Sequence, residues 1–416
     1  MKVLIIHRER NRYDIMLILM CWLMAAGLFG GFLQPVRVLI FLLTPFFVND
    51  AIRSELHIVP PLREVPSYRY EQICFVLWGC YAAISLYWAI DMLESAKAFL
   101  HLIINFIGFG EFLWLASKAQ KPQQSVIIGW ALMFLTTVPI ALHELITDEH
   151  LPMSLQESDY SIKFGGSIAE VRRFASVTFG NLNTYNVVLC MTFCTMMVCT
   201  LRDTFKERFF GYLMMISIAA LIVVNSSRAA FICLAFGILI YILVLMRKRH
   251  HVILLLGGIV TAAGILIYRY ADLFSIVIMR FQTQGLEDVG RLGVLTHGIE
   301  ELIRTYGLGI GIGNFIPTML NEYHLDIAAP HNLLLEVGVQ FGVIILLLFI
   351  GMFVRVYKRS KKGTIFNRSS AILTILPFIP ISIIDSGYIL KVPTWIFFAT
   401  IYMLAYSNYN DNKIND

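Results

Sequence analysis

The sequence predicts an all-α polytopic membrane protein, and three observations predict it. Of its 416 residues, 58% are hydrophobic and only 15% are charged, against roughly 25% charged in soluble domains. The apolar residues gather into about twelve runs, most long enough for a bilayer span of about 20 residues. The basic residues fall unevenly between those runs, as they do in membrane proteins. Together these exclude a water-soluble fold and a disordered chain, and the net charge of +5 gives no reason to expect nucleic-acid binding.

Lys2, Arg8, Arg10 and Arg12 precede the first apolar run, about 15–34. That run is too long for a secretory h-region and has no small-residue cleavage site, so it is read as a retained span. A short run at about 35–48 follows, then runs at about 73–90, 98–117, 125–146, 184–200, 209–225, 229–246, 252–270, 332–354, 369–388 and 393–407. With the amino terminus in the cytoplasm and the spans alternating, the inside segments hold 22 of the 33 Lys and Arg and the outside 11. The positive-inside rule selects this orientation, with both termini cytoplasmic. No repeat is present, so residues 1–416 read as a single integral membrane domain. All seven cysteines lie inside apolar runs and read as small buried hydrophobes.

Two external segments are long, about 147–183 and 271–331, and long loops between spans carry function. The second predicts an amphipathic surface helix at about 290–305. Leu292, Leu295, Ile299, Leu302 and Tyr306 form its apolar stripe, and His297, Glu300, Glu301 and Arg304 face elsewhere. The run Gly309-Ile310-Gly311-Ile312-Gly313 follows a helix rather than a strand, so it is no dinucleotide fingerprint. A turn needing positive φ is expected there. In the fourth span, His101 and Asn105 lie close enough to hydrogen-bond to each other, with packing as the simpler role.

The candidate chemistry lies outside. The spans near 184, 229 and 332 all start at the outer face, and Asn181, Asn183, Ser226-Ser227-Arg228 and Pro330-His331-Asn332 stand at those starts. Helix amino termini offer backbone N–H groups and partial positive charge, although Ser and Asn also serve there simply as caps. With Arg228, Arg291 and the less certain Arg172, Arg173 and Arg280, they supply the parts of an anion site. Diphosphate is the natural guest, because guanidinium groups grip phosphate oxygens bidentately. His331 suits proton abstraction from a sugar hydroxyl. Glu336, Gln340 and Asp385 are polar groups inside or at the rim of apolar spans, where they are costly and often functional. No metal motif is evident; Glu157-Ser158-Asp159 reads as a solvated loop. There is no Walker motif and no hydrolase motif.

Phe179-Gly180-Asn181-x-Asn183, Ser227-Arg228 opening a span, the external Arg291, Gly309-x-Gly311-x-Gly313-Asn314 and Pro330-His331-Asn332 with Glu336 behind it resemble the O-antigen ligase and O-antigen polymerase superfamily of bacterial membrane glycosyltransferases. The resemblance implies a GT-C-like helical bundle in the inner (plasma) membrane, with its active site facing the periplasm. It implies a glycan donor on undecaprenyl diphosphate, no cofactor and no metal. By position it puts the catalytic roles on His331, Arg228 and Arg291, with Asp385 as the acidic residue. Two acceptors then compete. A ligase transfers the glycan to the lipid A–core oligosaccharide, and a polymerase to another lipid-linked repeat unit. A polymerase holds two diphosphates and needs two basic clusters. Arg37, Lys97, Lys163, Arg269 and Lys391 read as peripheral, leaving one cluster, which favours the ligase. A transporter of lipid-linked sugars is the rival from another class, but transporters place their ionisable groups near the bilayer midplane.

Overall fold

The computed structural model describes residues 10–53, 68–154, 161–164, 167–171, 174–225, 227–246, 289–325 and 328–406. Eleven of the twelve apolar runs meet helices there; the ninth, 252–270, lies outside the described residues. In chain order the helices are α1 (Arg12–Trp22), α2 (Pro35–Arg53), α3 (Arg69–Ser85), α4 (Met92–Lys118) and α5 (Pro122–Thr147). Then come α6 (Leu182–Cys199), α7 (Phe205–Val224), α8 (Arg228–Met246), α9 (Val289–Arg304), α10 (Phe315–Asn321), α11 (Leu333–Ser360), α12 (Ile365–Ile381) and α13 (Val392–Tyr406). Seven of these are long and apolar enough to cross a bilayer, and α12 and α13 are shorter apolar helices. The chain is therefore a helical polytopic membrane protein. A two-stranded antiparallel hairpin, β1 (Ser161–Phe164) and β2 (Ser167–Val171), interrupts the long loop after α5; the sequence gives no expectation of it.

One contiguous apolar cluster runs from Leu17 to Ala405. The centre of the bundle is aromatic, with Phe106 meeting Trp78 and Trp395 edge-on at 5.5 and 5.0 Å and the two tryptophans tilted at 5.8 Å. Such geometry aligns ring edges with ring faces and adds to the burial gained from their area. Helix α6 is enclosed on nearly every side, whereas α7 leaves Leu213 and Ile216 exposed, as a lipid-facing span does. Six of the seven cysteines are buried and Cys80 is exposed.

The turn expected at residues 309–313 is present, and its partner is a break in a span. Gly309, Gly311 and Gly313 have φ of 91°, 96° and 77°. Helix α11 is interrupted at Gly342, where φ is 82° and ψ 171°. A broken helix leaves backbone groups unsatisfied, which hydrocarbon does not tolerate. Here the glycine segment satisfies them. Ile310 N donates to Val339 O (2.8 Å), Gly311 N to Gln340 O (2.9 Å) and Val343 N to Gly307 O (2.9 Å). A Cβ on Gly309 would stand 2.6 Å from Gly342 N, so the approach needs glycine for space as well as for φ. Gln340 belongs to this junction, its Oε1 accepting from Gly313 N at 2.9 Å.

Helix α9 forms where the amphipathic pattern predicts it, and it docks on the protein through the face opposite its apolar stripe. Val294 and Glu301 are fully buried, and Gly298 lies against Leu335 of α11. Of the expected stripe, Leu292, Leu295, Ile299 and Tyr306 are exposed and Leu302 is half-buried. Small residues at 294 and 298 let the helix approach α11 closely, and Glu301 is paid for by its partners. Tyr323 donates to Glu301 Oε1 at 2.8 Å, and Arg304 donates to Oε2 at 2.8 and 3.1 Å. Burial, helped by that carboxylate, pushes the Tyr323 hydroxyl up to about 12, so it stays a donor. The stripe left outside suits a helix lying along a membrane surface.

Candidate active site

Helices α6, α8 and α11 begin at the same end of the bundle, and the turn after α12 ties two of these starts together. Leu333 N, the first amide of α11, donates to Ser382 O at 2.9 Å. Thr184 Oγ1, in the first turn of α6, donates to Asp385 Oδ2 at 2.6 Å. Tyr388 N donates to Glu336 Oε2 at 3.1 Å. The start of α8 is fixed one step away. Asn225, fully buried before it, accepts from Ala175 N at 2.8 Å and donates to Asn186 of α6 at 3.2 Å.

His331 sits at the entry to α11 with φ of 40°. A side-chain-bearing residue there is strained by about 1–2 kcal/mol, and such strain is concentrated at functional sites. The proline before it and the cap after it hold the conformation: Pro330 is buried, and Asn332 Oδ1 accepts from Leu334 N and Leu335 N at 2.9 and 3.1 Å. Asp385 is 3% exposed and forms an ion pair with Lys391. Glu336 is 2% exposed and is committed to the backbone at 388, so it positions the turn.

The expected anion site changes in one respect. At the start of α11 the amides of residues 333 to 336 are all taken, by Ser382 O, by the Asn332 side chain and by Asn332 O. Asn181 likewise caps α6, its Oδ1 accepting from Asn183 N at 2.7 Å. Asn332 and Asn181 therefore act as caps with their side-chain oxygens, and the backbone at α11 offers no N–H to a ligand. The side chains of Arg228 and Arg291 are half-buried. Ser227 is buried at the start of α8, and Asn183 is partly exposed behind its cap. Arg172, Arg173, Arg280 and Ser226, with Glu157 and Asp159, lie outside the described residues. Among the described residues, no three His, Cys, Asp or Glu side chains gather as metal ligands would.

Beside this turn lies a cavity of about 970 Å³ that sequence reasoning missed. Asn181, Thr184 and Asp385 line it together with Arg37, His101 and Lys391, two of which, Arg37 and Lys391, read as peripheral in the sequence. Helix pairing brings them in: α2 packs on α4, and α4 on α13. His101 and Asn105 do not bond to each other. His101 Nε2 is 3.3 Å from Arg37 Nη1, and Asn105 donates to Ile389 O at 2.9 Å. Two buried signals were available in the sequence, an arginine opening a span against the charge bias and a histidine inside one. Glu144 is a third missed residue. It is 1% exposed, and its Oε2 accepts from Ser176 N and Val177 N at 2.8 Å each. It thereby draws the end of the 147–183 loop into the bundle against α6.

Residues 213–350 match the family model described as O-Antigen ligase. Ser227, Arg228, Arg291, His331, Asn332 and Glu336 fall inside that match, and Asn181, Asn183 and Asp385 outside it. The teichuronic acid biosynthesis protein TuaE of Bacillus subtilis (strain 168) is 23% identical over 300 residues, covering 67% of this chain and 58% of its own length. The chain thus spans a little over half of that curated relative. These likenesses agree with the motif resemblance: residues 213–350 of this polytopic chain are similar to the O-antigen ligase family.

Proposed function

We propose that this protein transfers a glycan from an undecaprenyl-diphosphate carrier to a hydroxyl acceptor, at the face of a bacterial plasma membrane turned away from the cytoplasm. The observation that carries the proposal is the strained His331 at a junction shared by the α6 and α11 starts and the Asp385 turn. Arg228 and Arg291 stabilise the negative charge that builds on the diphosphate as the glycosidic bond breaks, more in the transition state than in the ground state. His331 accepts the proton of the acceptor hydroxyl as its oxygen attacks, with inversion at the anomeric carbon. The donor brings its own energy, so no nucleotide is needed, and the arginines fill the place that a divalent ion takes in many transferases.

The acceptor separates two versions of this function. Expecting a ligase that acts on the lipid A–core rested on a single basic cluster. Arg37 and Lys391 line the cavity beside the Asp385 turn and are not peripheral, which removes that ground and favours the joining of two lipid-linked glycans. The name of the Bacillus relative concerns teichuronic acid, another envelope glycan.

Sidedness tests the proposal first. In a background lacking the seven native cysteines, Ser386→Cys is expected to react with a membrane-impermeant thiol reagent in intact spheroplasts. Lys362→Cys, an exposed position in the loop between α11 and α12, is expected to react only after lysis. The reverse pattern would put the site in the cytoplasm and end the mechanism.

A further inference from the structure

A separate groove of about 770 Å³ runs between α8, α11 and α12. Its walls are apolar: Val244 of α8, Phe349, Phe353 and Val354 of α11, and Ile375 and Leu376 of α12 line it. Its end away from His331 is different. Lys358 and Lys361 at the end of α11 and Arg368 near the start of α12 stand there, beside Tyr357. All three cations are exposed, and among the described residues none of them forms an ion pair. Lys361 Nζ lies 4.6 Å from the Tyr357 ring, a contact that keeps the ammonium at the mouth of the groove.

From Val337 to Ile384 the chain carries six cations, Arg355, Lys358, Arg359, Lys361, Lys362 and Arg368, and no carboxylate. Arg355 is matched by the buried Glu71 at 3.4 Å. The helix dipole favours cations at the end of α11 but disfavours Arg368, the fourth residue of α12. Cations from two helices thus meet at one groove mouth, with no carboxylate of the surrounding chain to balance them. The depth of the walls says what an anion there is attached to. At the helical rise, Phe349 lies about 14 Å along α11 from Lys358, and Leu376 about 12 Å along α12 from Arg368. Half of a hydrocarbon core is about 15 Å. The apolar walls therefore reach one leaflet deep from the charges, which suits a lipid with an anionic head and acyl chains.

We propose that this groove is a binding site for phosphatidylglycerol, an anionic lipid of the bilayer itself, in the leaflet that the charge bias assigns to the cytoplasm. Lys358, Lys361 and Arg368 donate to its phosphate, and its acyl chains lie against Phe349, Phe353 and Leu376. The assignment needs nothing of the transferase function proposed above, and its charged end is far along α11 from His331.

Native mass spectrometry of the purified full-length protein, titrated with phosphatidylglycerol and separately with phosphatidylcholine of the same acyl chains, reads the bound lipid. The wild type is expected to hold one phosphatidylglycerol at least about tenfold more tightly than phosphatidylcholine. Replacing Lys358, Lys361 and Arg368 together by Gln should remove that preference. Lys362→Gln should keep it, because Lys362 is exposed in the same loop and does not line the groove. Leu376→Trp should block the groove with all its charges in place, and thermal melting shows which variants fold. If the triple variant does not fold, Leu376→Trp decides: loss of the bound lipid supports the proposal, and unchanged binding overturns it. A folded triple variant that keeps the preference overturns it too. Equal loss in Lys362→Gln would reduce the effect to general surface charge and overturn the site. Equal binding of the two lipids by the wild type would also overturn it, and a groove filled by residues 252–270, which lie outside the described residues, would give that result. Displacement of phosphatidylglycerol by an equal concentration of undecaprenyl phosphate would make this a carrier site and overturn the choice of lipid.

Discussion

Arg228→Ala is expected to lower glycan transfer by at least about 100-fold while the protein remains folded in the membrane. The residue opens α8, where its charge opposes the helix dipole, so helix stability gives no reason for an arginine there. The buried Asn225 three residues earlier fixes the α7–α8 turn against α6, and that contact survives the substitution. On the proposed mechanism, what is lost is the planar donor fork that meets developing phosphate charge. Arg228→Lys is expected to recover little, because an ammonium cannot reproduce two parallel N–H donors. Steady-state transfer by purified variants, with thermal melting as the folding control, checks this. Transfer within a few-fold of wild type in Arg228→Ala would remove the diphosphate role.

His331 permits a sharper separation of stability from chemistry. Its φ of 40° is one that glycine adopts freely. His331→Gly should therefore relieve backbone strain, and its melting temperature should stay level or rise. Loss of a general base costs about 10²- to 10⁴-fold, and transfer should fall by that much in the same variant. His331→Asn, which also tolerates this conformation, should be folded and equally slow. A histidine that merely shaped the turn would give the opposite result, with His331→Gly folded and active. That outcome would exclude His331 as the proton acceptor.

The bundle was legible because span length and charge bias are imposed by the bilayer, and eleven of the apolar runs became helices with only soft boundaries. The Gly309–Gly313 turn was legible as a turn, but its docking into the break at Gly342 was not. Nothing local marks which backbone groups a distant segment will satisfy. The apolar stripe of α9 was legible, but the opposite face that docks on α11 was not, because periodicity does not say whether protein or lipid covers a stripe. The site was legible in part. The starts of α6 and α11 are tied to the 382–388 turn by tertiary hydrogen bonds, and the residue before α8 is tied to α6. The caps at Asn181 and Asn332 use the very amides that an anion would need. Arg37 and Lys391 escaped because each looks like an ordinary residue at a span end, and only the packing of α2, α4, α6 and α13 places them on one cavity.

The central claim is that this protein makes a glycosidic bond at the expense of a polyprenyl-diphosphate linkage. The most direct measurement supplies purified protein in detergent with a single substrate, a labelled glycan on undecaprenyl diphosphate, and follows chain length and carrier release. The account predicts lengthened glycan on the carrier, with one undecaprenyl diphosphate freed for each bond formed. Transfer that requires added lipid A–core would keep the transferase and reverse the choice of acceptor. Intact donor recovered under all these conditions, with movement of the lipid-linked glycan across the membrane in vesicles, would contradict the account and make the protein a transporter.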